Sequence, residues 1–411
     1  MTGALRSPDF RFLWIGQTVS TVGDRMIVVA LALFVTQRTG SAGDVGLVLT
    51  AYVVPMIVFL PLGGVWADRI PRRRLMIVSD VVRCASQGVL ALLITFGAVP
   101  LGLVMALEAL CAAAQAFFRP AYTGLLPQTV PDELVQSATS ISSLSDTGAS
   151  FVGPALSTAL IAVIGAAAVF FVDSASFAVS AIFLLRVKPR PRGERSPRTG
   201  VLRELHDGYR AVRTRTWVWV TLVTVSIAVC VGFAPYLVLG PTIAEQHYHH
   251  SNFFGLLATA MGAGSVAGAL LGLRWRPRQP LKAGLIAIVI WPPTFALFAL
   301  GAPLGIVLAA MLLSGAAITL FEVWWDTTLI ERIPPEVLSR VSAWDWLGSV
   351  GLMPVGYLVA GALASGVGAD AVLAVGAAIA AVLLLASLTP RETRALTGGP
   401  QVPPGAAEAS A

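Results

Sequence analysis

Charge is what this chain has least of. Asp, Glu, Lys and Arg make up only 12% of its 411 residues, against 56% hydrophobic residues, and the mean hydropathy is +0.79. So little charge does not cover the surface of a water-soluble protein of this length, which excludes a set of two or three soluble domains. Cysteine is scarce too. Cys84, Cys111 and Cys230 lie inside apolar runs without disulfide-like or metal-like spacing, so they read as small packing residues and no metal site is expected. No Walker motif or phosphate-cradling glycine loop occurs, so ATP drive is not supported. No nucleophile, base and acid form a constellation, and an enzyme is not expected. No cleavable signal peptide is evident: "FRFLWIGQTVSTVGDRMIVVALALFV" is too long and too interrupted by polar residues for one, and reads as a first transmembrane helix.

What the chain does have is apolar runs along its whole length. Spans are expected at 11–36, 45–66, 75–97, 100–119, 139–164, 167–187, 216–240, 253–273, 282–301, 304–326, 341–364 and 370–389. These are twice too long for barrel strands and do not alternate, so the fold class is an all-α integral membrane protein. Short links such as "FGAVP" and "GAPL" make their neighbours antiparallel. Arginine orients the bundle. One set of connections holds Arg6, Arg11, Arg69, Arg72, Arg73, Arg74, Arg119, the 186–215 segment, Arg274, Arg276, Arg278, Lys282, Arg332, Arg340, Arg391 and Arg394; the opposite set holds Arg38. The positive-inside rule then puts both termini in the cytoplasm. The net charge of +6 reads as topology signal and lipid-headgroup anchor, and no nucleic-acid partner is expected.

Residues 188–215 divide the chain into a six-helix bundle over 1–187 and another over 216–390. The first half of this cytoplasmic linker is rich in Pro, Arg, Gly and Ser. In its second half Leu202, Leu205, Tyr209 and Val212 fall at helical spacing, as in a surface-lying amphipathic helix. Residues 391–411 are low-complexity and read as a disordered tail. The halves repeat weakly. "LLPQTVPDELVQSATS" before span 5 matches "TLIERIPPEVLSRVSA" before span 11, Gly153-Pro154 matches Met353-Pro354, and Gly64 matches Gly268, all roughly 200 residues apart. Duplicated six-helix halves in a pseudo-twofold arrangement place a substrate site between them, near the bilayer midplane.

One stretch carries a family signature. "GGVWADRIPRRRLM" (63–76) follows span 2, and twelve spans in a 6+6 split surround it. This resembles the major facilitator superfamily, whose signature there is Gly-x-Leu-Ala-Asp-Arg-x-Gly-Arg-Arg. Gly64, Ala67, Asp68, Arg69, Arg72 and Arg73 match; Trp66 stands for Leu and Pro71 for the second Gly. The surrounding sequence resembles the bacterial drug–proton antiporter branch that includes macrolide-efflux and enterobactin-exporter proteins. Gly148 and Gly153-Pro154 resemble the antiporter kink in span 5, whereas span 4 has no arginine before Arg119. The resemblance implies that Gly64, Asp68, Arg69, Arg72 and Arg73 form a conformational latch. In it, Asp68 meets the start of span 11 near Arg340 to Trp344 and the arginines pair with Asp68 and with headgroups. Physically, Gly63 and Gly64 permit close helix contact, and an anion at a membrane edge suits a helix N-terminus.

Ionisable side chains inside the spans ask for a reason, because each costs about 2.5–3.5 kcal/mol at mid-bilayer on insertion scales. Asp24, Glu108 and Asp146 lie deepest; Asp80, Asp173, Glu322, Asp326 and Asp345 lie nearer the ends, and Arg25 and Arg83 are the cations. Asp80 and Arg83, three apart on one helix face, form a structural pair. Asp24 and Arg25 are adjacent, point about 100° apart, and need partners elsewhere. In the superfamily, spans 1, 4, 7 and 10 line the central cavity. Asp24, Glu108, Asp146 and Glu322 are therefore the candidates for proton coupling, with an interhelical hydrogen bond or ion pair as the alternative role for each. A carboxyl in an apolar wall can hold a proton near neutral pH and release it when water enters. Tyr52, Phe117, Phe321, Trp324 and Trp325 are the candidates for stacking on a bulky ligand in the cavity; Phe118 and Trp291 belong to the same aromatic set. The "EQHYHH" stretch (245–250) reads as a solvated outer loop.

The expected protein is a secondary transporter that exports a bulky amphipathic molecule, such as a drug, antibiotic or siderophore, by proton antiport and alternating access. It needs no cofactor beyond the proton gradient. Its partners are the small-molecule substrate and the lipid bilayer, and it is a monomer of the bacterial inner membrane. A nutrient importer or uniporter of the same fold, or a transport-inactive sensor or scaffold, remains open at this point.

Overall fold

The computed structural model describes residues 3–97, 99–190, 209–275 and 277–396, with the side chains of Asp68, Pro335, Glu336, Ser339, Ala343 and Trp346 also left undescribed. Among these residues there are helices and no strands. Twelve helical stretches are long and apolar enough to cross a membrane: Pro8–Thr39, Ala42–Ala67, Arg72–Thr95, Leu101–Gln128, Asp132–Val163, Ala166–Arg186, Thr216–Tyr248, Phe253–Arg274, Pro280–Ala299, Leu304–Arg332, Arg340–Val367 and Ala369–Ala386. They are spans 1 to 12 below. The protein is a multi-pass membrane protein.

The duplication seen in the sequence reappears as packing. In the first half span 2 packs on 4, 3 on 4 and 6, and 1 on 5 and 6; in the second half span 8 packs on 10, 9 on 10 and 12, and 7 on 11 and 12. The halves meet through spans 2 and 11, 5 and 8, and 1 and 7. Small residues permit these contacts, as lipid-immersed helices require. A Cβ at Gly46 would strike the Tyr357 carbonyl and one at Gly361 the backbone of Ala42 and Gly43; Gly264 and Gly315 place spans 8 and 10 backbone to backbone.

Three boundaries differ from expectation. Span 7 continues to Tyr248, so Glu245 to Tyr248 of the supposed outer loop are helical, and His247 pairs with Asp370 at 3.1 Å. Within it, Val229–Phe233 forms a π-helical turn just before Pro235, which has no N–H to continue the α-ladder. Span 11 breaks at Leu352, between Pro335–Gly351 and Met353–Val367, because Pro354 likewise removes a donor. In span 5, Pro154 sits inside an uninterrupted helix. Finally, Arg391–Ala395, expected in the disordered tail, forms a short helix whose Glu392 accepts a hydrogen bond from the Trp217 N–H at 3.3 Å. Of the amphipathic linker helix, Leu202 and Leu205 lie outside the described residues. At its end Val212 is buried, whereas Tyr209 is about half exposed, with its ring 5.8 Å from that of Trp344.

Gly63 and Gly64 were paired in expectation and separate in structure. A Cβ on Gly63 would enter the Ala116 carbonyl of span 4, whereas one on Gly64 would meet nothing within 4 Å. Gly63→Val is therefore expected to cost about 1–3 kcal/mol through overpacking and to lower the melting temperature of the purified protein, while Gly64→Val leaves it unchanged. Equal melting curves for both variants would contradict this packing.

Candidate functional site

The first turn of span 3 explains where the arginine cluster goes. Arg72 Nη1 donates to the Gly124 carbonyl at 2.7 Å, and Arg73 Nε donates to the Leu184 carbonyl at 2.8 Å while its Nη2 reaches that of Leu185. Both arginines thus tie down the C-terminal ends of spans 4 and 6, where unsatisfied carbonyls carry partial negative charge. The Asp68 side chain lies outside the described residues, and so does the latch contact expected of it.

Between the halves lies a cavity of about 840 Å³. The contacts that join the halves lie towards the arginine-poor ends of the spans. There Thr50 of span 2 faces the Pro354 carbonyl, and Gln37 of span 1 donates to Ser251 and Asn252 before span 8. At the arginine-rich side the cavity wall continues down the first half through Arg119, Tyr122 and Leu126. The cavity is thus closed towards the arginine-poor side. Its two walls differ in chemistry. All the charged side chains, among them Asp24, Arg25 and Asp146, come from the first half, together with apolar groups such as Val28, Leu49 and Met56, whereas spans 7, 8 and 11 contribute a mainly apolar lining that includes Phe233, Met261 and Met353.

The two adjacent charges of span 1 find partners on different helices. Arg25 pairs with Asp146 of span 5 at 3.3 Å, both side chains being about half exposed (46% and 57%). Asp24 is 25% exposed and pairs with Arg83 of span 3 at 3.5 Å. Arg83 itself is buried. It donates to Asp80 one turn back, and its guanidinium lies between the rings of Phe118 and Phe177, with its Cζ 4.5 and 4.1 Å from their centroids. Asp80 also accepts from Ser180 at 2.7 Å. A continuous chain of polar groups therefore runs from the cavity wall at Asp24 through Arg83 and Asp80 to span 6. The alternating sign of its charges and the two faces of aromatic cover make up for the water each group has lost.

The remaining candidates scatter. Glu108 is not part of the central cavity lining. It is fully buried between spans 3 and 4, where Gln87 Nε2 donates to its two oxygens at 3.3 and 3.4 Å. The reason is rotational: Glu108 lies on the face of span 4 that packs on span 3. Glu322 is exposed on span 10, with Asp326, Arg25, Asp345 and Asp146 as its charged neighbours, but is not part of the cavity lining. Asp173 is buried beside Gly23 and Ser176, and its Oδ2 has no partner among the described residues.

The aromatic candidates divide one against four. Tyr52 lines the cavity. Phe117 instead points at span 2, packing on Phe59 and Trp66, and its neighbour Phe118 takes the place beside Arg83. Phe321, Trp324 and Trp325 are buried in the second half. Trp325 packs on Trp217 and Phe321 and donates to Asp345 at 3.0 Å; Trp324 packs on Trp275. Their large apolar area is used to hold spans 7, 10 and 11 together. What the sequence reading missed is the thioether and aromatic wall of Phe233, Met261, Met353 and Tyr357. The only sign of it in the sequence was the Met353-Pro354 break.

A helical bundle in two similar halves, closed at one end around a cavity with a charged wall, is the architecture of a membrane transporter. Residues 13–349 match the Major Facilitator Superfamily, and the chain belongs to it. It is similar to macrolide efflux protein A of Streptococcus pyogenes, 23% identical over 369 residues, covering 88% of this chain and 90% of that protein. It is also similar to the multidrug efflux pump Tap of Mycolicibacterium fortuitum, 25% identical over 391 residues, covering 90% and 92%. Among solved structures, the nucleoside transporter NupG superposes with a TM-score of 0.72 at 14% identity, covering 92% of this chain and 98% of that one. A bacterial homologue of the lysosomal transporter Spinster, in an inward-facing and unoccupied conformation, gives 0.68 at 16%, covering 94% and 96%. These structures share the fold.

Proposed function

We propose that the protein exports a bulky amphipathic small molecule through the inner membrane of a bacterium by proton antiport. The observation that carries the reading is the two-faced cavity: about 840 Å³, with all its charged side chains on the first half and a mainly apolar wall with two methionines on the second. A solute with a polar side and a greasy side satisfies both walls at once. Volumes of about 300–1,000 Å³ are those of drug-sized sites, and methionine adapts to varied shapes. The names of the two efflux relatives favour export. With the arginine-rich ends in the cytoplasm, as the positive-inside rule requires, the cavity is closed towards the outside.

Asp24 is the proton carrier in this reading. It alone among the acids both touches the cavity and joins the buried Arg83–Asp80 pair. Protonation releases Arg83 from it, and deprotonation restores the pair. Asp68 then acts as the latch that alternates with this step: Asp68→Asn is expected to insert normally and to lose transport, measured as membrane-protein level against substrate efflux. Everted vesicles test the direction. An exporter accumulates the substrate when the vesicles are energised and loses it on adding a protonophore. Accumulation only in right-side-out vesicles would make it an importer, and the absence of both substrate movement and proton flux would make it a sensor.

A further inference from the structure

A second cavity, of about 650 Å³, lies between spans 7 and 11 at their arginine-rich ends. Among the described residues it shares no lining group with the central cavity. Its sides are apolar: Trp219 and Val223 of span 7 stand opposite Trp344 and Leu352 of span 11, and Trp219, Val223 and Leu352 are substantially exposed. The slot exists because its floor is small. A Cβ at Gly348 would already meet the Ser226 Oγ. The end of the linker helix closes one side, where Tyr209 leans on Trp344 and Arg213 stands at the rim. Arg213 is exposed and has no ion-pair partner among the described residues.

An apolar slot with an exposed guanidinium at its rim complements a molecule with a hydrocarbon chain and an anionic head. Basic pockets between spans on the positively charged membrane face hold the heads of anionic lipids. The linker adds Arg210 and Arg215 within two or three residues of Arg213, so the surrounding field also favours an anion. We propose that this crevice binds one anionic phospholipid, with an acyl chain between spans 7 and 11 and its phosphate on Arg213. Leu352, where span 11 breaks, lines the slot. The bound chain therefore braces the inner part of span 11, Pro335–Gly351, against span 7. The proposal is independent of which solute the central cavity carries.

The test uses the full chain purified in mild detergent and native mass spectrometry. Phosphatidylglycerol and phosphatidylcholine with the same chains are added at equal concentration. Retention of a single phosphatidylglycerol at least about fivefold above phosphatidylcholine is expected. Arg213→Glu and Gly348→Phe should each bring it down to the phosphatidylcholine level, and Arg213→Lys should keep most of it. Variants count only if their lipid-free melting temperature matches the wild type; should Gly348→Phe fail to fold, Ser226→Leu fills the slot from the opposite helix. Equal retention of the two lipids, or unchanged phosphatidylglycerol binding in both Arg213→Glu and the slot-filling variant, overturns the proposal. So does inorganic phosphate alone raising the melting temperature as much as phosphatidylglycerol, which would mark a site for the head without the chain.

Discussion

Replacing Asp24 with asparagine is expected to leave the protein folded in the membrane and to abolish uphill transport. Asparagine has nearly the same shape as aspartate and still presents an oxygen to Arg83, whose stronger partner Asp80 remains. What it lacks is a proton to bind and release. One proton entering down about 100 mV supplies about 2.3 kcal/mol, which sustains a roughly 50-fold substrate gradient at tenfold per 1.4 kcal/mol. In energised everted vesicles the wild type is expected to approach such a ratio and Asp24→Asn to stay near unity, with substrate exchange down its gradient preserved. Glu108→Gln is the comparison, since Glu108 is walled off from the cavity and held by Gln87. Full accumulation by Asp24→Asn would remove Asp24 from the coupling step. Loss in Glu108→Gln alone would move the proton to the interior of the first half.

Arg83→Leu is expected to be the most destabilising single change in the first half. Asp80 has no exposed surface, and after the substitution Ser180 is its one remaining hydrogen-bond partner among the described residues. Removing one member of a buried ion pair costs about 3–5 kcal/mol, because the other charge is left uncompensated. The half-exposed Arg25–Asp146 pair belongs to a different class: Arg25→Ala is expected to cost about 0–1 kcal/mol. The measurement is thermal unfolding in detergent, with Arg83→Leu melting far below the wild type or failing to accumulate in membranes. Adding Asp80→Asn to Arg83→Leu takes away the stranded charge and is expected to recover much of the loss, a coupling that a double-mutant cycle reads directly. A wild-type melting curve for Arg83→Leu alone would mean that Asp80 does not need the cation.

The two predictions differ because one residue chain serves two purposes along its length. At the buried end, Asp80, Arg83 and Ser180 hold spans 3 and 6 together. At the cavity end, Asp24 is partly exposed, and on the proposed reading it changes its charge there. Charge at the membrane midplane is costly wherever it stands. Concentrating it in the first half leaves the second half a core of rings, with Tyr236 stacked on Phe295 at 4.4 Å and further packed on Phe254 and Phe298. On the proposed reading, the first half responds to protons and the second offers a hydrophobic wall.

Local sequence was enough for whatever depends on one helix at a time. Span number follows from runs of apolar residues, because in lipid only helices and closed barrels satisfy their backbone hydrogen bonds, and these runs are too long for barrel strands. The Asp80–Arg83 pair follows from three-residue spacing, and the need of Asp24 and Arg25 for separate partners follows from their adjacency. Whatever depends on how one helix is rotated against another was beyond it. Phe117 and Phe118 are equally apolar neighbours about 100° apart, and the rotation of span 4 about its own axis decides which one faces Arg83. Glu108 turned towards span 3, Trp325 towards span 7, and Gly63 rather than Gly64 met the next backbone for the same reason. Helix rotation is set by the packing of all neighbours together, and no short stretch of residues records it.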